Sequence, residues 1–132
     1  MTRELDLFNP FGIEHSPGII WVGQADDQPD PTFVKFVDFP HGVRAAVRVL
    51  RTYTADYGIT TVGAAISKWS PPQENDTLSY IDDVCARCQC EPSAPFLPIL
   101  PLFLRALADH ENGVAAAAVL TDAEIAEGIA LT

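Results

Sequence analysis

The sequence predicts an α+β domain, mostly α: a short β-hairpin followed by four to five packed helices. Two runs rich in β-branched and aromatic residues, Ile19–Gly23 and Thr32–Asp38, stand before residue 40. From Pro40 onward apolar residues recur at helical spacing. The helical runs are punctuated by Gly58, Pro71-Pro72 and Gly113, residues that end helices.

Residues 1–18 read as irregular, with turn sequences at Asn9-Pro10-Phe11-Gly12 and Ser16-Pro17-Gly18. Ile19–Gly23 reads as the first strand, and a polar loop follows from Gln24 to Pro31. In the second strand Phe33, Lys35 and Val37 share one face, and Val34 and Phe36 the other. Pairing these strands gives a hairpin over about 19–38. Pro40 suits a first helical turn. Val43, Ala46, Val47, Leu50 and Tyr53 form the buried stripe of that helix, and Arg44, Arg48 and Arg51 fall on a neighbouring stripe. Thr60 is the expected cap of a short second helix carrying Val62, Ile66 and Trp69. Asn75 or Asp76 caps a third, with Leu78, Ile81, Val84 and Cys85. A fourth runs from about Phe96 to His110 on an apolar face of Leu100, Phe103, Leu104 and Leu107, with Pro98 and Pro101 in its first turns. Thr121-Asp122-Ala123-Glu124 is a capping box opening a last short helix. Residues 1–113 are expected as one globular domain, with helices over about 40–113, and 114–132 as an Ala-rich helical extension.

A chain of 132 residues suffices for one core, and 48% hydrophobic with 20% charged residues is a globular composition. No run reaches the ~18 apolar residues of a membrane span. The acidic start, Met1-Thr2-Arg3-Glu4-Leu5-Asp6, does not resemble a secretory signal. A formal charge of −10 repels duplex phosphate, so neither nucleic acid nor membrane is an expected partner. Cys85, Cys88 and Cys90 cannot all pair within the chain. A redox dithiol favours a helix start and zinc needs a second ligand pair. These residues therefore read as reduced thiols, with redox or metal roles as the alternative. No metal or cofactor is expected.

Five segments in order carry a resemblance. They are Asn9-Pro10-Phe11-Gly12-Ile13-Glu14, Trp21-Val22-Gly23-Gln24, His41-Gly42-Val43-Arg44-Ala45, Trp69-Ser70-Pro71-Pro72-Gln73-Glu74-Asn75-Asp76-Thr77 and His110-Glu111-Asn112-Gly113. The set resembles a family of phage-encoded proteins whose members read N-P-G-N-I-R, W-x-G, G-I-R-A, W-A-P-P-x-E-N-D-T and H-E-N-G. The resemblance implies a virion-associated or structural protein, made in the host cytoplasm, with a lysozyme-like, cell-wall-degrading role. Glu14 stands where those members carry arginine, a departure compatible with a purely structural member.

Glycan cleavage needs a carboxylic acid kept protonated near neutral pH, usually with a second carboxylate or a positioned water. Glu111, at the end of an apolar helix, and Glu74, at the Pro-Pro corner beside Trp69, are the expected catalytic pair. Trp69, Asn75, Arg44 and Asn112 are the expected substrate contacts. Glu14, just before the expected hairpin, is a third candidate acid, against which the arginine usual at that place in the resembled family argues. Each also has a plain structural reading: helix-end polar residues, helix caps, aromatic core anchors, and Arg44 paired with Glu74 or Glu111. No Ser-His-Asp spacing, phosphate-binding glycine loop or H-E-x-x-H occurs. The expected function is that of a phage virion component acting on peptidoglycan as a glycosidase of muramidase or lytic transglycosylase type, with other virion proteins as partners. An inactive structural virion protein is the first alternative. An acidic inhibitor of a host nucleic-acid-binding protein is the second.

Overall fold

The computed structural model describes residues 2–72 and 76–132. Among them are seven α-helices: α1 (Arg3–Asp6), α2 (Phe39–Tyr57), α3 (Val62–Trp69), α4 (Thr77–Cys88), α5 (Leu100–Asn112), α6 (Val114–Ala117) and α7 (Asp122–Ala130). The chain is mostly helical, and no strand occurs among the described residues.

α2 is the axis of the fold. Asp38 caps it by accepting from the His41 N–H, Pro40 occupies the first turn, and Gly58 ends it in the left-handed region at φ 66°. Its apolar stripe, Val43, Ala46, Val47 and Leu50, is buried. α7 lies directly on this helix. A Cβ at Gly128 would stand 2.4 Å from Val43 Cβ and 2.7 Å from the Pro40 carbonyl oxygen, so only glycine permits the approach. The Thr121–Glu124 capping box forms as its residues predict. Ala117, Leu120 and Ile125 are buried, so residues beyond 113 complete the core. α4 packs between α3 and α5, and the Phe96 and Phe103 rings meet in the interior, tilted by 32° with centres 5.5 Å apart.

The expected hairpin over 19–38 is replaced by isolated antiparallel bridges, Glu14 to Phe33 and Gln24 to Phe36. The physical reason lies in two side-chain amides that take ladder positions. Gln28 donates to the Ala25 and Lys35 carbonyls and accepts from the Lys35 N–H. Asn9, fully buried, donates to the Ile13 and Val34 carbonyls and accepts from the Ile13 N–H. These amides share the Ile13 and Lys35 carbonyls with the Val34 and Ala25 N–H groups and take positions that a continuous partner strand would fill. Ile19, Ile20 and Val22, expected as strand residues, are exposed.

Three boundaries also differ. Residues 3–6 form a helical turn capped by Thr2, too short to show periodicity. α3 is capped by Thr61, not Thr60. The helix expected from Phe96 begins as a 3-10 turn over Leu97–Ile99 and becomes α-helical only at Leu100, because Pro98 and Pro101 lack the N–H groups that earlier α turns require.

Candidate functional site: an aromatic groove beside α2

An open groove of about 560 Å³ runs between the loop 11–21 and the C-terminal half of α2. Glu14, Ile19 and Trp21 line the loop side. Arg48, Val49, Thr52 and Tyr53 line the α2 side, and Trp69 at the end of α3 closes one margin. Tyr53 and Trp69 meet edge to face with ring centres 6.4 Å apart. Among the described residues the groove thus combines four aromatic side chains, Phe11, Trp21, Tyr53 and Trp69, with one acid and one arginine.

The backbone holds these groups in place. Glu14 follows Ile13, whose N–H and carbonyl both bond to the buried Asn9 amide. The Trp21 N–H donates to Gln24 Oε1 at 3.2 Å. Gly23 has φ 78°, and a Cβ there would come within 2.2 Å of the His41 ring. Gly42 faces the Phe8 carbonyl, where a Cβ would stand at 2.3 Å. Asn9, Gly23, His41 and Gly42 are therefore joints that fix the loop against the start of α2.

Among the expected site residues, Trp69 lines the groove and Arg44 lies one turn before Arg48 on α2, half-buried, with no ion pair to a described residue. Glu111 does not line the groove. It accepts a 2.9 Å hydrogen bond from the Tyr80 hydroxyl, and Tyr80 stacks on His110 at 3.8 Å. His110 Nδ1 lies 2.8 Å from Asp83, which also holds Arg87. Burial pushes the Glu111 carboxyl above its ordinary value, aided by nearby Glu4 and opposed by the Tyr80 hydrogen bond and His110. It has the protonation bias of a general acid, but its oxygen is engaged inside a network. Asn112 donates to the Pro10 and Ala108 carbonyls and accepts from the Thr2 hydroxyl, tying the N-terminal segment to α5. Glu74 and Asn75 lie outside the described residues.

Arg48, Thr52 and Tyr53 carry no motif. Tyr53 reads as a core residue because it shares the spacing of Val43 and Leu50, and only the accompanying Arg44–Arg48–Arg51 stripe signals an outward face. Cys85 and Cys88 are buried, and burial with the neighbouring Cys90 pushes each thiol up to about 11. Such thiols are poor nucleophiles at neutral pH. Among the described residues no group of three His, Cys, Asp or Glu is arranged to hold a metal ion.

No family model matches the chain. Protein P5 of Pseudoalteromonas phage PM2 is 35% identical to it over 115 residues, which cover 85% of this chain and 72% of that protein. Similarity of this extent across most of both chains shows common descent, and the chain belongs to the family of the phage protein P5.

Proposed function

We propose that the chain is a virion-associated phage protein that binds the glycan strands of peptidoglycan in the Trp21–Trp69 groove and cleaves them during host entry. The observation that carries this reading is the groove itself: an open cleft of about 560 Å³ lined by Phe11, Trp21, Tyr53 and Trp69, with Glu14 on the loop wall and Arg48 on the α2 wall. Sugar rings stack on aromatic faces, and a single polar group among apolar walls orients a ligand. In this reading Glu14 is the group placed to donate a proton to the leaving oxygen. Glu14 is the one carboxylate on the groove wall among the described residues, and with it the sugar's acetamido group can stand in for a second carboxylate in a substrate-assisted step. Glu111, with its raised pKa, and Glu74, at the Pro-Pro corner after Trp69, are the further acids to test.

The test is turbidity clearing and release of reducing or anhydro ends from purified cell walls, for wild type and for Glu14→Gln, Glu74→Gln and Glu111→Gln. Clearing lost in Glu14→Gln and kept in Glu111→Gln is the expected pattern. Trp69→Ala should lose wall binding without unfolding. Walls that are neither bound nor cleared would sink this reading.

The second reading is a structural virion protein that keeps the fold without activity. The Tyr80–Glu111 and Asn112–Pro10 contacts favour it, since the Glu111 and Asn112 side chains are engaged in holding α5 to α4 and to the N-terminal segment. It predicts normal wall binding with no bond cleaved, or particle assembly that depends on the exposed Leu102, Val114 and Val119.

A further inference from the structure

Positive charge is distributed unevenly along this chain. The chain has eight Lys and Arg against 18 Asp and Glu. Arg3, Lys35, Arg87 and Arg105 each form an ion pair with an aspartate. Arg44, Arg48, Arg51 and Lys68 form none among the described residues, and all four lie on α2 and α3. Between residues 39 and 72 the one acid is Asp56. A chain of net charge −10 therefore carries a locally cationic strip.

That strip crosses the groove at Arg48, which lines it, while Arg44 and Arg51 stand four residues before and three after on the same helix face, about one turn to either side and outside the lining. Arg48 and Arg51 are exposed. Lys68 sits 3.9 Å over the Tyr57 ring and 5.5 Å from the Tyr53 ring, at the margin closed by Trp69. Three guanidinium groups spaced at successive turns span roughly 10 Å at ~1.5 Å per residue, about the length of a disaccharide. Each presents paired N–H donors that match a carboxylate.

We propose that the groove selects a carboxylate-bearing glycan, with sugar rings on the Trp21, Tyr53 and Trp69 side and pendant carboxylates on Arg44, Arg48 and Arg51. This rests on the glycan reading above and narrows it: the stem peptides of peptidoglycan carry free carboxylates at about disaccharide intervals, whereas chitin-like chains carry none. A nucleic acid strand also has anions and stacking faces. The chain's overall charge and Glu14 on the opposite wall oppose a continuous phosphate backbone there.

The test measures binding of three soluble probes by the full chain: peptide-bearing glycan fragments from sacculi, the same fragments with carboxyls amidated, and a single-stranded oligonucleotide. Acidic fragments should bind at least about tenfold more tightly than amidated ones, and the difference should shrink as salt rises. Arg48→Gln and Arg51→Gln should each lower the acidic-to-amidated ratio about two- to fivefold, with Arg48→Lys intermediate. Equal binding of acidic and amidated fragments, or a ratio unmoved by both substitutions, overturns the charge selection while leaving the glycan reading standing. Absence of binding to either glycan overturns both. Tighter binding of the oligonucleotide than of the acidic fragments overturns the proposed ligand class.

Discussion

Replacing Gly128 by alanine tests how α7 is seated. In a solvent-facing helix position, alanine stabilises by ~1 kcal/mol over glycine. Here the added methyl would meet Val43 Cβ at 2.4 Å, Val43 Cγ1 at 2.5 Å and the Pro40 carbonyl oxygen at 2.7 Å. None of these atoms yields cheaply: Val43 is β-branched and fully buried, and the carbonyl belongs to the first turn of α2. α7 must lift by about 1 Å, and overpacking of this kind costs about 1–3 kcal/mol or more. Lifting also loosens Ile125, which is buried one turn away. Subtracting the propensity gain leaves a net loss of up to about 2 kcal/mol. Urea unfolding followed by far-UV circular dichroism and by Trp21 and Trp69 fluorescence should show a midpoint lower by up to about 1 M. Ala126→Gly, on the exposed side of the same helix, should cost ~1 kcal/mol by propensity alone. A Gly128→Ala variant more stable than wild type would refute the close approach of α7 to α2.

The remaining expectations concern buried polar groups and thiols. Asn9→Ala strips the partner from the Ile13 N–H and from the Val34 carbonyl, while the Ile13 carbonyl keeps the Val34 N–H, and should cost about 2 kcal/mol or more by urea unfolding. A cost near zero would mean that the loop 11–21 does not depend on this amide. Burial holds the Glu111 carboxyl above 4.5, so the native state keeps a proton that the unfolded chain releases. Its contribution is then full below pH 4.5 and is lost as pH rises through the folded value, so wild type should lose stability relative to Glu111→Gln on going from pH 4.5 towards neutrality. A pH-independent difference between the two would refute the raised value. In native protein at pH 8, iodoacetamide should modify the partly exposed Cys90 first and leave Cys85 and Cys88 largely untouched until denaturant is added. Mass spectrometry of the time course reads this directly, and equal rates for all three would contradict the burial of α4's last turn.

The helices were legible because local chemistry decides them. Pro40 and Gly58 bound α2, Asp76 caps α4, and Thr121 with Glu124 opens α7, each where the residue types predict. The strands were not legible, because period-two alternation in 32–38 is equally served by bridging to two separate segments. The choice is made by Asn9 and Gln28, whose side chains occupy ladder positions from a distance that spacing rules do not capture. The site was readable only in pieces. Trp69, Trp21 and Glu14 could be singled out as residues, but their convergence with Tyr53 and Arg48 depends on how the loop 11–21 folds across α2. Glu111 looked like a projecting acid because it ends a helix. The Tyr80 hydroxyl that engages it comes from 31 residues earlier, a pairing no local pattern encodes.

The seating of α7 on α2 has a kinetic consequence. The partners are separated by most of the chain, with Val43 and Gly128 in direct apposition. During synthesis the apolar stripe of α2 is made early and stays uncovered until residues 122–130 emerge, several seconds later at ~5–20 residues per second. Through that interval the growing chain shows a hydrophobic strip to chaperones and to other nascent chains. A product stopped short of α7 shows it permanently, so degradation should act as the quality check on whether translation reached the last helix of the fold.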